Sequence, residues 1–187
     1  NHEENVLTQM RHALGKNLYV TQRLDNPVGG LLVLAKSKEY QAKFNSLLSQ
    51  HRVEKRYQAY TENAPPLGLQ VHYMEPSDRA PRKMTELHQE GFLKCELVVE
   101  SVEPIQVEGK NCFQSSIQLI TGRTHQIRAQ LALLKCPLLN DAMYGSKYRD
   151  LQKDTIGLFC YRVGWEKFQF TLTSFFKVAS TASLCLI

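Results

Sequence analysis

The chain has 187 residues, enough for one domain that buries its own core without disulfides or a structural metal. Apolar residues make up 43% and charged residues 22%, which excludes a disordered or fibrous chain. Lys plus Arg outnumber Asp plus Glu 23 to 18, and the net charge of +5 permits a polyanionic partner without requiring one. The start, Asn1 to Asn5, is polar, with neither a signal-peptide core nor an initiator Met, so the chain is expected to be a fragment or a processed form. Leu18 to Leu24 reads as a short strand that runs into a turn at Asn26-Pro27-Val28-Gly29-Gly30. Leu31 to Ala35 is a buried strand by length and flanks. Ser37 is an N-cap for a helix whose apolar stripe is Tyr40, Phe44, Leu47 and Leu48 and which ends near Gln50. Val53 to Thr61 is a strand, broken by Pro65-Pro66-Leu67-Gly68.

A charged loop is predicted from His72 to Lys83. Alternation at Leu93, Cys95, Leu97 and Val99, and again at Phe113, Ser115, Ile117 and Leu119, predicts two long antiparallel strands joined by Pro104 to Lys110. Thr124 caps a helix striped by Ile127, Leu131 and Leu134, and Ile156 to Val163 with Phe168 to Thr173 form a closing hairpin. Strands in succession with few intervening helices argue for an α+β fold rather than a doubly wound βαβ sheet. The five cysteines, Cys95, Cys112, Cys136, Cys160 and Cys185, are dispersed, with no CxxC pair and no zinc spacing. Buried thiols in a reducing, intracellular compartment are the expectation, and the compartment itself stays open. No apolar run approaches the roughly eighteen residues of a spanning helix. Leu184-Cys185-Leu186-Ile187 is not a prenylation box, because only Leu186 and Ile187 follow the cysteine.

Three segments carry chemistry. In Arg23-Leu24-Asp25-Asn26-Pro27 a carboxylate stands at a strand end before a Pro/Gly turn, where loops supply partners; turn formation through its own backbone is the competing role for Asp25. In Thr121-Gly122-Arg123-Thr124-His125-Gln126-Ile127-Arg128 a glycine leads into a helix start, where Arg123 forms the beginning of an anion site and Arg128 can reach inward to a carboxylate. A solvated basic helix face is the alternative. In Lys55-Arg56-Tyr57-Gln58-Ala59 the side chains alternate, with Tyr57 and Ala59 on one face. Tyr57 is then a core residue with a bonded hydroxyl, or a platform on which a flat base stacks.

The joint order of these segments resembles the RluA-type RNA pseudouridine synthases, plant-type members above all. Arg23-Leu24-Asp25, Gly30 and the apolar run to Ala35-Lys36 match the family's central motif, Thr121 to Arg128 match Thr-Gly-Arg-Thr-His-Gln-Ile-Arg throughout, and Lys55, Tyr57 and Ala59 match Lys-x-Tyr-x-Ala. Pro137 to Gly145 resembles the family's Pro-Leu/Ile-x-Gly-Asp-x-x-Tyr-Gly, and the loop His72-Tyr73-Met74 with Ala80-Pro81-Arg82 is similar to that of plant-type members. The resemblance runs from about residue 19 to residue 163, within a single catalytic domain of residues 1–187 whose tail, 174–187, diverges.

The resemblance implies the pseudouridine synthase catalytic fold, a mixed and largely antiparallel sheet flanked by helices and loops, here lacking its first strands. It implies isomerisation of uridines in structured rRNA or tRNA without cofactor or metal, by a monomer whose partner is RNA and not a membrane. Asp25 is the implied catalytic carboxylate, acting at the ribose as nucleophile or as proton acceptor. Tyr57 stacks on the base, and Arg128 pairs with Asp25 to hold it charged and in place. Arg23 fills the gap as the nucleotide leaves its stack, while Arg79, Arg82, Lys83 and Arg123 meet phosphates. His125 is expected in a hydrogen-bonded framework role, and Asp141 as a turn former.

Departures from the family pattern are Val28-Gly29 for Thr-Ser, Asn140 for the glycine before Asp141, and Phe159 for the usual histidine. The strand ending near Asn-Lys-Pro and the Phe-x-Ala-Pro finish are missing, which would leave unpaired backbone and a bare apolar face. A non-catalytic RNA-binding relative, or a truncated form with impaired turnover, is the alternative function. An Asp-based hydrolase is weaker, since no second carboxylate is motif-paired with Asp25.

Overall fold

Period-two alternation turns one side of each strand toward apolar neighbours and the other toward water, and the architecture follows from where those apolar sides meet. The computed structural model describes residues 6–149, 155–172 and 183–186. In chain order the elements are α1 (Val6–Leu14), β1 (Tyr19–Val20), β2 (Gly29–Ala35), α2 (Lys38–Ser49), β3 (Val53–Thr61), β4 (Gly68–Met74) and β5 (Met84–Thr85). Then come β6 (Leu93–Val107), β7 (Lys110–Leu119), α3 (Gln126–Leu133), a 3-10 turn (Ala142–Tyr144), β8 (Leu158–Trp165), β9 (Phe168–Thr171) and β10 (Ser183–Leu186). The strands form a sheet in the order β1-β2-β8-β3-β7-β6-β4-β5, with β9 beside β8 and β10 beside β2. Pairing is antiparallel except where β2 runs parallel to β8 and to β10. The α+β expectation and the mixed, largely antiparallel sheet therefore hold.

β3 lies between β7 and β8, so both its backbone edges are used. Its Val53, Tyr57 and Ala59 are buried in the main core with Leu97, Val99, Ile117 and Val163. The opposite side of β3 is polar: Arg56 reaches Glu54 at 2.6 Å and Glu100 at 2.8 Å. Two helices close the core. Ser37 caps α2 by accepting from the Tyr40 amide at 3.2 Å, and Phe44 meets Trp165 edge-on with ring centroids 5.0 Å apart. Tyr40 is exposed, so the buried stripe of α2 is narrower than its spacing predicted and rests on Phe44 and Leu47. α3 sends Ile127 and Leu131 into the same core. Burial of such a side chain contributes roughly 1.5–3 kcal/mol.

Several boundaries differ from the sequence expectation, each for a local reason. Of Leu18 to Leu24 only Tyr19 and Val20 pair with β2. Thr21 then donates its hydroxyl to the Val33 carbonyl at 2.6 Å, and Arg23 to Asn26 leave the sheet. His72 to Met74 belong to β4 rather than to a loop, because they pair with Cys95, Lys94 and Leu93 of β6. The predicted Pro104 to Lys110 connection is mostly strand. Pro104 lies beyond Val99, the last β6 residue paired to β4, on an edge where its missing N–H costs no ladder bond. Glu108 and Gly109, both at positive φ, make the actual turn. The N-cap of α3 is His125, not Thr124. The expected unpaired edge is not met along Leu31 to Leu34, where β10 runs beside β2.

Candidate active site

The loop between β1 and β2 closes on itself through backbone, the Val28 amide donating to the Asp25 carbonyl oxygen at 2.8 Å. The turn thus needs nothing from the Asp25 side chain, which resolves the competing turn role and leaves the carboxylate free to project. It projects into a cleft whose lining includes Arg23, Asp25, Tyr57, Arg123, His125 and Arg128. Residues from three segments of the chain therefore share one space. Tyr57 comes from the centre of β3, Arg128 from the first turn of α3, and Arg23 and Arg123 are exposed at the rim.

Arg128 is the hinge of this arrangement. Its Nε and Nη2 donate to the two carboxylate oxygens of Asp141 at 2.7 and 2.9 Å, a bidentate pair with side chains only 4% and 1% exposed. Its remaining terminal nitrogen, Nη1, reaches Asp25 Oδ2 at 3.4 Å, where the Asp25 side chain is 21% exposed. Burial alone would lower the Arg128 pKa, but the hydrogen bonds and charge of Asp141, with Asp25 behind them, outweigh it and raise the pKa. The Tyr144 ring lies beneath, its centre 5.0 Å from the Arg128 guanidinium carbon.

Asp141 is thereby more than the turn former expected. Its side chain makes no capping bond to the 3-10 turn, and both its oxygens go to Arg128. A buried guanidinium needs a full counter-charge, and Asp141 is the residue that supplies it. The signal was present in the Asp-x-x-Tyr-Gly spacing, where Tyr144 also faces the site, but spacing could not show which arginine the carboxylate would meet.

His125 is hydrogen-bonded as expected. Its Nδ1 is 3.0 Å from the Tyr144 hydroxyl, which also accepts from the Arg82 amide at 2.8 Å. Its Nε2 stands 3.8 Å from Asp25 Oδ2. Burial lowers the His125 pKa, the cations Arg128 and Arg82 push the same way, and Asp25 opposes them. The residue also sits at φ 58°, in left-handed backbone that non-glycine residues adopt at a cost. Gln126 locks this helix start, its Oε1 accepting from Thr121 Oγ1 and the Arg123 amide at 2.9 and 3.0 Å and its Nε2 donating to Gln130 at 2.9 Å.

Tyr57 is buried, and burial raises its phenol pKa well above the ordinary value, so the hydroxyl keeps its proton. Arg82 is half-buried beside His125, with its Nε unpartnered, whereas Arg79 is exposed and Lys83, exposed as well, stands 3.8 Å from Glu75. Two departures from the resemblance turn out to be one. Gly29 pairs with Phe159, and a Cβ at position 29 would lie 3.1 Å from that ring. The glycine makes room for the larger aromatic. Gly30 is constrained more tightly, since any Cβ there would overlap the Cys160 carbonyl, and its φ is 122°. Among the described residues no group of three or more His, Cys, Asp or Glu side chains is placed to hold a metal ion, and no helix is long and apolar enough to cross a membrane.

A model of the family described as RNA pseudouridylate synthase matches residues 1–133. RNA pseudouridine synthase 6, chloroplastic, from Oryza sativa subsp. japonica is 33% identical over 163 residues, covering 77% of this chain and 34% of the relative. Ribosomal large subunit pseudouridine synthase C from Rickettsia conorii is 30% identical over 135 residues, covering 71% of this chain and 44% of the relative. The chain thus spans less than half the length of either. Among solved structures, human RNA pseudouridylate synthase domain containing 1 shares the fold at a TM-score of 0.69 and 16% identity, over 91% of this chain and 73% of that one.

Proposed function

The chain belongs to the RNA pseudouridylate synthase family, and from that premise we propose that it isomerises uridine to pseudouridine within structured RNA, rRNA or tRNA, with Asp25 reacting at the ribose. The observation that carries this reading is that Arg23, Asp25, Tyr57 and Arg128 line one cleft although they come from separate segments. The reaction exchanges a carbon–nitrogen glycosidic bond for a carbon–carbon one. A proton is lost from the base carbon and one is gained at nitrogen. Nothing is oxidised or reduced, so the chemistry asks for no redox cofactor.

In this reading the Asp25 carboxylate adds to the anomeric carbon or takes a ribose proton. Both routes need the carboxylate held toward the sugar, and Arg128 at 3.4 Å is the group that holds it. Arg128 is itself fixed by Asp141, so the guanidinium meets the substrate side without reorganising. The Tyr57 ring stacks on the base, for which a protonated, uncharged phenol is suited. A base inside a duplex cannot reach this cleft, so the nucleotide leaves its stack and exposed Arg23 fills the gap. Arg79, Arg82, Lys83 and Arg123 meet phosphates, which makes affinity fall with salt. Residues 1–187 act as a single catalytic domain, a monomer inside the cell with RNA as its partner and no metal.

The test is to incubate the protein with in vitro-transcribed, unmodified rRNA and tRNA and to map pseudouridine, beside Asp25→Ala. Product with the parent protein and none with Asp25→Ala is the expected result. Binding by both with no product from either would establish the non-catalytic RNA-binding alternative instead.

A further inference from the structure

The inner side of β3 carries Val53, Lys55, Tyr57 and Ala59 in alternation, and the other three are buried core residues. Lys55 is half-buried among them and lines the same cleft as Asp25, Tyr57 and Arg128. Its ammonium lies against the turn that leads into α3, so close that a Cβ at Gly122 would stand 2.9 Å from Nζ. Its backbone is held on both sides, paired with Leu119 of β7 and Val163 of β8, so the side chain starts from a fixed point.

What sets Lys55 apart is its lack of a counter-charge. Arg56, Lys94 and Arg128 each meet a carboxylate within 3.0 Å. The Lys55 ammonium makes no hydrogen bond and no ion pair with any described residue. Burial pulls its pKa below the ordinary lysine value, the usual response of a cation removed from water. A partly desolvated ammonium without a partner is costly to keep and interacts strongly with any anion that enters. Exposed Arg23 and Arg123 stand at the rim, where a phosphate backbone passes. Lys55 instead shares its strand face with the ring on which the base would stack.

We propose that Lys55 is a further catalytic residue, whose ammonium stabilises the negative charge that develops on the uracil when its glycosidic bond breaks. This rests on the reading under Proposed function. As the bond from the anomeric carbon to N1 breaks, its electron pair stays with the base and spreads onto the two carbonyl oxygens. Lys55 donates a hydrogen bond to one of those oxygens and keeps its proton. The base turns, and C5 bonds to the anomeric carbon as that carbon's bond to the Asp25 oxygen breaks or, by the proton-acceptor route, as Asp25 returns the ribose proton. C5 then gives its proton to water and N1 takes one from water. The charge exists only while the base is detached, so the benefit falls on the chemical step and not on RNA binding.

The experiment compares the full chain with Lys55→Met and Lys55→Arg on a pool of in vitro-transcribed, unmodified rRNA and tRNA, reading single-turnover pseudouridine formation and RNA affinity separately. Lys55→Met keeps the apolar stem and is expected to slow the chemical step ~10²–10³-fold. RNA affinity should stay within about threefold, since ground-state binding does not use the interaction. Lys55→Arg, which restores the cation, should recover at least about tenfold of the lost rate. Matching thermal melts show that both variants fold. If Lys55→Met reacts within about threefold of the parent rate, the proposal is wrong while the synthase reading stands. If its affinity falls by the same factor as its rate, Lys55 is a phosphate contact and the proposal is again overturned. If the parent protein makes no pseudouridine in any RNA of the pool, the synthase reading fails and takes this proposal with it.

Discussion

Arg128 has an inner and an outer side, and the two sides hold their carboxylates differently. Inside, Asp141 takes two short hydrogen bonds in a space almost closed to water, above the ring of Tyr144. Outside, Asp25 receives one long contact at 3.4 Å, stands 3.8 Å from His125 and is open to the cleft. The same guanidinium is therefore an anchor on one side and a loose partner on the other. The buried, bidentate pair fixes Arg128 in the framework, and the single long contact leaves Asp25 open to the cleft.

The largest expected effect lies on the outer side. Asp25→Asn should reduce pseudouridine formation ~10⁴-fold or more, as loss of a reacting group does. It should shift unfolding free energy by less than about 1 kcal/mol, because a partly exposed, weakly held pair contributes little. Single-turnover assays beside chemical denaturation measure both. Comparable losses of stability from Asp25→Asn and from an Asp141 variant would break the distinction between the two sides.

On the inner side the order reverses. Asp141→Ala leaves a buried guanidinium without its counter-charge and should cost about 3–5 kcal/mol of stability. Denaturant midpoints read it directly, and activity should fall as Arg128 loses its position. Next in size is the loop that presents Asp25. Gly29→Ser places an atom 3.1 Å from the Phe159 ring and should cost ~1–3 kcal/mol by overpacking. Phe159→Leu in the same chain should relieve that cost, and a double-mutant cycle would detect the coupling.

The smallest effect concerns His125, which touches both sides through Tyr144 and Asp25. Its folded pKa is lowered, chiefly by burial, and the same holds for His72. Below about pH 6.5 the unfolded chain therefore binds protons that the folded one does not. Stability should be fully present above that pH and decline as pH falls. Urea midpoints taken near pH 7.5 and near pH 5.5 should show the fall, and His125→Asn should flatten it.

Much of this was legible before folding. Alternation at Val53 to Thr61 and at Phe113 to Leu119 placed two central strands, because a half-buried strand must repeat every second residue. Ser37 marked the start of α2 through the cap its hydroxyl makes. Arg23, Asp25, Tyr57 and Arg128 lie in the motifs that the sequence singles out, and they share one cleft. Thr124 does not cap α3, because His125 takes the cap position in left-handed backbone with no side-chain cap hydrogen bond, while the Gln126 side chain ties down the loop before it by accepting from the Arg123 amide. Local propensity does not encode a left-handed backbone at the cap position. The expected connection from Pro104 to Lys110 contains the turn at Glu108-Gly109 but is too long, because Pro104 reads as a strand end whereas it sits on an edge that asks for no donor.

What the sequence by itself determined was the class of strands and helices, the family and the motifs that supply Arg23, Asp25, Tyr57 and Arg128 to the cleft, since these depend on residue type and short-range spacing. What only the tertiary structure decided was the division of labour among like charges. Arg128 is 13 residues from Asp141 and 103 from Asp25, and nothing in either carboxylate's identity says which will be clamped. Burial on α3's inner side made Asp141 the bidentate partner, left Asp25 with looser contacts at the mouth, and left the Lys55 ammonium between Tyr57 and Gly122 with no hydrogen bond or ion pair among the described residues. Solvent exposure and mutual distance are properties of positions in space, so identical chemical groups acquire different roles only once the chain has folded.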